Sequence, residues 1–357
     1  MGKKIIYFLL ILFSIFYSVN SLAQEVLTEL LDKIKIKTGI DLYYAYDTDK
    51  DKLLREFSSV SPHRDEFRLN LARVGIEYDN KIARGNVAFH YGDIVKECWQ
   101  TDHPYLQQAN VGIEVYDNLW IDAGYFLTFI GEESLPYESS FSSFALPSHY
   151  QPFYESGIRV SYDYKNLIGG AVYIINGFNL IEDNNKNKTV GLQLYYQPKE
   201  YLKFIYNTLV GNEMPSSEAG KLRVFNDFII SFGPLKNFEA SLLFDITMQE
   251  NSNLTDSAST AYSYGTIAIL RYHITPKFKT MLRGEYYQDL NGILSGIISE
   301  GMGMKGNGIT LGFEYTPIEK AYLRFESRYL RLDKALNIFY NNKNERVELI
   351  ISAGIGF

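Results

Sequence analysis

The chain has 357 residues, with 42 acidic against 35 basic side chains and a net charge of −7. This acidic balance argues against nucleic acid as a partner, because phosphate backbones are bound by clustered basic residues. Cys98 is the single cysteine, so no intramolecular disulfide can form and the fold must be inferred from other signals. Mean hydropathy is only −0.15, yet aromatic residues make up 15% of the chain. High aromatic content with modest hydropathy is typical of membrane β-barrels, in which only alternate strand residues meet lipid.

The first 23 residues have the pattern of an export signal. Lys3 and Lys4 precede an apolar run over residues 5–17, and small residues at positions 21 and 23 mark a cleavage site near Ala23. The alternative is an uncleaved anchor, but the run is short for a membrane-spanning helix. Removal of residues 1–23 leaves 33 basic residues and a net charge of −9. We therefore predict export through the inner membrane.

Residues 24–37 form a predicted periplasmic lead-in, in which helical spacing gives way to alternation. Sixteen runs with a two-residue period follow and predict strands. Their approximate spans are 38–47, 66–78, 81–91, 108–117, 119–129, 155–164, 167–176, 188–197, 201–210, 222–232, 237–248, 259–272, 277–289, 307–316, 319–331 and 344–357. The alternation slips by one residue near Ala72, which predicts a β-bulge.

Short connections follow every even-numbered run and long polar ones follow every odd-numbered run. This segregation predicts a transmembrane antiparallel up-and-down β-barrel over residues 38–357, with short periplasmic turns and long extracellular loops. Fourteen strands is the alternative count. Residues 321–328 set Leu323 and Phe325 against Arg324, Glu326 and Arg328, which indicates an apolar outer face and a charged lumen.

Aromatic residues flank the predicted short turns. A belt of such rings at the headgroup level is typical of outer-membrane barrels. Its predicted members include Tyr78, Tyr116, Trp120, Tyr164, Tyr196, Tyr201, Phe232, Phe238, Tyr272, Phe278, Tyr315 and Tyr322. The last strand ends on Phe357, which resembles the terminal signature that the barrel-assembly machinery recognises. Outer-membrane lipid and that machinery are therefore the predicted partners.

One segment resembles a known family more than the rest. The stretch from Asp122 to Glu133, residues 137–151, Gly157-Ile158-Arg159 and Asn176-Gly177 are similar to the OmpL-like β-barrel porin-2 family of outer-membrane proteins. The resemblance runs from about residue 38 to the C-terminus. It implies a porin-like channel and brings no catalytic residues with it.

The predicted loop 130–154 is the longest connection. In general porins the corresponding loop folds into the barrel and narrows it, and here it carries Glu132, Glu133 and Glu138. These carboxylates could set the field at a constriction. The alternative is an ordinary loop that lies over the mouth of the barrel.

Charged residues on the inner face are the remaining pore candidates. They could create a transverse field that favours small hydrophilic solutes, or they could pair across strands and stiffen the wall. The candidates are Arg84, Arg159, Arg283, Glu285, Glu314, Arg324, Glu326 and Arg328.

Two rival classes remain beside the channel. A barrel hydrolase needs a His near a Ser and an acid, but most of the five histidines fall in predicted loops and no metal-binding His motif occurs. An adhesin or structural barrel would have a filled lumen, whereas sixteen strands enclose enough space for an aqueous channel. We predict passive diffusion without a catalytic site, metal or cofactor. A homotrimer is consistent with this size.

Overall fold

The computed structural model describes residues 33–50, 52–136, 138–139, 141–299 and 301–357. The predicted signal peptide and residues 24–32 of the lead-in lie outside this part. The described chain forms sixteen antiparallel strands that close into one barrel, each strand pairing with its sequence neighbours and β1 pairing with β16. The predicted fold class and strand count are thereby confirmed.

The strands are β1 Ile34–Asp47, β2 Phe67–Asp79, β3 Ala83–Tyr91, β4 Leu106–Tyr116, β5 Leu119–Leu127, β6 Tyr154–Tyr164, β7 Ile168–Ile175, β8 Thr189–Lys199, β9 Leu202–Asn212, β10 Leu222–Leu235, β11 Phe238–Gln249, β12 Ala261–Thr275, β13 Phe278–Gln288, β14 Lys305–Tyr315, β15 Ala321–Leu332 and β16 Glu345–Gly356. The described residues also form two short helices, α1 Asp93–Cys98 and α2 Leu146–His149. Neither is long and apolar enough to cross a membrane.

The first strand begins at Ile34, four residues before the predicted barrel boundary at 38. Residues 34–37 belong to the barrel because they continue the register with β2, in which Ile36 lies opposite Ile76. Closure is made by β1 and β16. Thr38 and Phe357 exchange backbone hydrogen bonds of 2.6 and 3.0 Å, so the last residue of the chain is part of the sheet.

The two faces of the wall differ as the alternation predicts. On β15, Leu323 and Phe325 are exposed on the outer surface, whereas Arg324, Glu326 and Arg328 are buried inside. Outward apolar side chains recur on every strand and form the surface that meets lipid hydrocarbon.

Most of the predicted aromatic belt lies on the outer surface beside the short turns, including Tyr116, Tyr164 and Tyr272. Trp120 and Tyr322 are exceptions. Trp120 shares the inner face with Asp122 and lies against Arg84, and Tyr322 is buried and donates a hydrogen bond to Asp41. Both follow the two-residue period of their strands, which decides the direction of a side chain more strictly than its distance from a turn.

The predicted bulge is present near the expected place. Register between β1 and β2 shifts between Asp41 and Leu42, which face Leu71 and Leu69, so Asn70 is the extra residue. Its side-chain amide donates a 2.7 Å hydrogen bond to Asp41, and its Oδ1 accepts one from the backbone N–H of Ser61. The bulge therefore holds the β1–β2 connection inside the barrel.

Connections alternate between a rim of short turns and a rim of long loops. The buried apolar clusters lie within the barrel, where long loops pack on one another. Ile94 and Trp99 in and after α1, for example, belong to one cluster with Leu135 and Phe144 of the β5–β6 loop. The long loops thus occupy much of the interior.

Candidate pore and constriction

The β5–β6 connection, residues 128–153, lies inside the barrel and contacts its far wall. We call it the inner loop. The backbone N–H of Gly131 donates to Asp227 on β10 at 2.9 Å, and that of Ser142 donates to Glu326 on β15 at 2.8 Å. On its return, α2 packs against β12 and β13, and Gln151 Nε2 lies 2.7 Å from Asp245 on β11. These anchors attach the inner loop to the part of the wall between β10 and β15.

The three carboxylates predicted on this loop have different surroundings. Glu133 is enclosed, and it accepts hydrogen bonds from Arg283 and from the backbone N–H of Ala145. Glu132 is partly exposed and lies 3.9 Å from Arg271, while burial raises the pKa of its carboxyl group. Glu138 is exposed. All three residues line a cavity of about 190 Å³ within the inner loop.

Six of the predicted pore residues lie behind the inner loop on β13–β15 and are almost fully buried. They are Arg283, Glu285, Glu314, Arg324, Glu326 and Arg328. Arg328 forms a bidentate ion pair with Glu285, with distances of 2.7 and 2.8 Å. Arg324 donates a hydrogen bond of 2.6 Å to the carbonyl oxygen of Pro136. In this structure all of them except Glu326 form ion pairs within the wall, and four of the six, Arg283, Glu285, Arg324 and Glu326, bind the inner loop.

Sequence reasoning missed the continuation of this network onto β16 and the β1–β2 loop. Glu348 accepts hydrogen bonds from Arg346 and Arg55 and lies 3.6 Å from Arg328. Arg55 also pairs with Asp47 at 3.3 Å. The inward alternation of β16 marks Arg346 and Glu348, but no local pattern indicates that a loop arginine would reach them.

The other two predicted residues, Arg84 and Arg159, lie apart from this network and face open space. Arg84 binds both oxygens of Asp122 at 2.7 and 2.6 Å, and Arg159 Nε lies 3.1 Å from the Oδ2 of the same carboxylate. They line a cavity of about 270 Å³ beside the short-turn rim, together with Trp120 and Tyr195. The candidate residues thus divide into a covered group and a solvent-facing group.

Gly112 makes the bridge between Arg84 and Asp122 geometrically feasible. These residues lie on β3 and β5, and Gly112 faces both across the intervening β4. A Cβ at position 112 would lie 2.1 Å from Asp122 Oδ1.

We therefore expect Gly112→Ala to displace this bridge and lower the free energy of unfolding by about 1–3 kcal/mol, measured by urea titration in detergent micelles. Gly284→Ala is the matched control, because a Cβ there meets nothing within 4 Å. Equal stabilities of the two variants would refute the steric explanation.

A third cavity, of about 510 Å³, opens among the long loops and is lined by residues that include those of the β1–β2 loop, the inner loop and the β13–β14 loop. His149 of α2 lies on it, with its Nδ1 in a hydrogen bond with Ser59. Burial, with a contribution from Arg328, lowers the pKa of His149 to about 4. The imidazole is therefore neutral at pH 7, and its protonation opposes the docking of the inner loop.

This depressed pKa predicts an acid-sensitive fold. In the unfolded chain His149 takes up a proton near pH 6.5, whereas in the folded protein it does so only near pH 4. The contribution of His149 to the free energy of unfolding is therefore fully present above pH 6.5. It falls by up to about 3 kcal/mol as the pH is lowered from 6.5 to 4. Unfolding free energies at pH 7.5 and 4.5 should therefore differ more in the wild type than in His149→Asn. Other titrating groups are common to both proteins. The same pH dependence in both would contradict the prediction.

No group of three or more His, Cys, Asp or Glu side chains in the described ranges is arranged to hold a metal ion. Cys98 is a buried free thiol, and burial raises its pKa, which makes it unreactive.

A closed sixteen-stranded barrel with an apolar exterior, a charged interior and a long loop folded inside defines the porin class of outer-membrane proteins. The chain belongs to the family described as "Putative beta-barrel porin-2, OmpL-like", whose model matches residues 33–357. It is thus a porin-like channel protein of the outer membrane. A search of curated proteins gave no match.

Solved structures share the fold at low sequence identity. The anion-selective porin from Comamonas acidovorans is 10% identical with a TM-score of 0.63, and the match covers 91% of this chain and 99% of that one. The outer-membrane channel DcaP of Acinetobacter baumannii is 14% identical with a TM-score of 0.60, covering 91% and 97%. OmpF of Salmonella typhi, in complex with daunomycin, is 11% identical with a TM-score of 0.59, covering 91% and 97%.

Proposed function

We infer that this chain is a channel for the passive diffusion of small hydrophilic solutes, with the inner loop as its constriction. The observation that carries this proposal is the attachment of the inner loop to strands β10, β11, β13 and β15 of the far wall, while the cavity at Arg84 and Arg159 stays open. A loop fixed across a wide barrel narrows the route without closing every part of it.

Three cavities along the barrel suggest the path that a solute takes through it. The 510 Å³ cavity lies among the long loops and shares Gln151 and Phe153 with the 190 Å³ cavity of the inner loop. The 270 Å³ cavity lies at the short-turn half, where Trp120 and Arg84 face it. Solutes would be selected by size at the inner loop and by charge at the arginine-bearing wall.

The same proposal includes orientation and assembly. Residues 1–23 act as a signal peptide that is removed near Ala23, the short turns face the periplasm, and the barrel-assembly machinery recognises the last strand ending in Phe357. Phe357 is two-thirds exposed on the outside of the sheet, which leaves its ring free for recognition. A homotrimer is the proposed assembly, and an apolar groove on the outer face of β7–β10 offers a contact surface.

A structural or adhesive barrel is the second candidate, and a specific observation favours it. The interior beside β13–β16 is filled with buried ion pairs such as Arg328–Glu285. A barrel whose lumen is filled throughout carries no current.

Single-channel recording in planar lipid bilayers separates the two candidates. We expect discrete conductance steps from the purified mature protein, and we expect no hydrolysis of phospholipid or peptide by the same preparation. Heat-modifiable migration on a gel verifies folding beforehand. A folded barrel that conducts no ions would overturn the channel and leave the structural role, and hydrolysis that survives repurification would restore the enzyme class.

A further inference from the structure

The inner loop is attached to the wall in two different ways. Towards β13–β15 its anchors include the ion pair between Glu133 and Arg283 and the hydrogen bond from Arg324 to a loop carbonyl oxygen. Towards β10 and β11 the anchors are hydrogen bonds from the loop to two aspartates, Asp227 and Asp245. Because arginine is not deprotonated in proteins, the first edge keeps its cations in alkaline solution.

Asp227 and Asp245 are direct register partners on neighbouring strands. Both point into the barrel, where they are 0% and 5% exposed. The Oδ2 of Asp227 accepts hydrogen bonds from the backbone N–H of Gly131 and from Asn207, and the Oδ2 of Asp245 accepts one from Gln151. Gly131 and Gln151 lie near opposite ends of the inner loop, so one pair of neighbouring acids holds both ends.

The second oxygen of each aspartate lacks a donor. Within the part of the chain that the structure describes, the buried Oδ1 atoms of Asp227 and Asp245 receive no hydrogen bond, yet the two carboxyl groups lie within hydrogen-bonding distance of each other. Ionised carboxylates only accept hydrogen bonds, so two of them are joined only when one carries a proton. Two charged carboxylates in one buried site would also repel each other. The geometry therefore indicates one proton shared by the pair.

The surroundings do not compensate a second negative charge. Glu132 of the inner loop and Tyr287 on β13 are the titratable groups that face the pair from other elements, and ionisation of either adds negative charge. Strand β9 contributes the neutral amide of Asn207, and β12 contributes Gly265. Arg271 on β12 lies 3.9 Å from Glu132. Among the described groups that act on the two aspartates, none is a cation.

We propose that Asp227 and Asp245 form a pH-sensitive switch for the inner loop. While the pair keeps its shared proton, this edge of the loop stays attached and the channel is narrow. In alkaline solution the proton passes to hydroxide, and the two carboxylates then gain more from hydration than from burial under the loop. This edge is released and the channel widens, while the arginines hold the other edge. The inference rests on the proposed channel function with the inner loop as its constriction.

The test is single-channel recording of the intact protein in planar bilayers near pH 7 and near pH 10. We expect the conductance of the wild type to rise reversibly at the alkaline pH. In Asp245→Asn the amide oxygen can still accept from Gln151, and the amide N–H can donate to Asp227 as the shared proton does. This variant should keep the wild-type conductance near pH 7 and lose the alkaline increase. Lysine and tyrosine side chains that titrate in this range are common to all the proteins compared.

Asp163→Asn is the matched control. It makes the same chemical change at the cavity of the short-turn half, where Asp163 binds the β6–β7 turn and not the inner loop. It should therefore respond to pH as the wild type does.

Asp227→Asn keeps the inference testable if Asp245→Asn does not fold, because its amide can donate to Asp245 in the same way. It should also lose the alkaline increase. An equal increase in the wild type and a folded Asn variant of the pair, or no increase in the wild type, would refute the switch while the channel function stands. Absence of current from the wild type at both pH values would instead refute the channel function itself.

Discussion

Replacing residues 131–151 of the inner loop by a short Gly-Ser linker should raise the single-channel conductance several-fold. The linker can close the gap because Leu127 and Tyr154 are direct partners in the β5–β6 register. With the loop gone, the arginines and acids of β13–β15 would line an open aqueous lumen, which is the ordinary interior of a barrel of this size. Conductance in symmetric potassium chloride measures the effect.

The matched control shortens a loop that lies away from the lumen. Residues 252–258 of the β11–β12 connection are mostly exposed, and their excision should leave the conductance at the wild-type value. An unchanged conductance after removal of the inner loop would mean that another segment limits the current. It would contradict the constriction and not the channel.

Arg283→Met should cost about 3–5 kcal/mol of folding free energy, because it leaves the buried carboxylate of Glu133 without its cation. Arg283 is fully buried, it pairs with Glu133 of the inner loop, and it lies 3.9 Å from Glu285. It also donates to the carbonyl oxygen of Ser143 at 2.7 Å. Urea unfolding in micelles gives the free energy, and a less tightly anchored loop should add noise to the open-channel current.

Lys37→Gln is the control for Arg283→Met. Lys37 pairs with Glu77 at 2.9 Å, but its side chain is half exposed, so its loss should cost less than about 1 kcal/mol. A similar loss of unfolding free energy in both variants would show that burial does not determine how much these ion pairs contribute to stability. Adding Glu133→Gln to Arg283→Met should restore part of the stability, because it removes the carboxylate charge that has lost its partner.

The barrel could be predicted from the sequence because its signals repeat. The two-residue period assigns an inner or outer direction to each residue, and it correctly placed Arg84, Arg159 and Arg283 inside. The same rule, applied strictly, would have moved Trp120 from the predicted aromatic belt to the lumen. Proximity to a turn is therefore a weaker guide to the direction of a side chain than the alternation is.

The path of the inner loop could not be read from the sequence. Its anchors are backbone groups, such as the N–H of Gly131 and Ser142, which every residue except proline possesses. Their acceptors, Asp227 and Glu326, are about 100 and 180 positions away along the chain. The sequence therefore predicted which wall residues are charged but not which of them the loop would cover.

The seam between β1 and β16 has a consequence for how the barrel forms. It joins Thr38 to Phe357 across 319 positions, and closing a flexible segment of that length costs about 5 kcal/mol of chain entropy. Every other strand pair is local along the chain, so the seam has by far the largest sequence separation and is expected to form last. Until then both terminal strands are unpaired edges, prone to join a foreign strand, and protection of those edges during assembly matters as much as the stability of the finished wall.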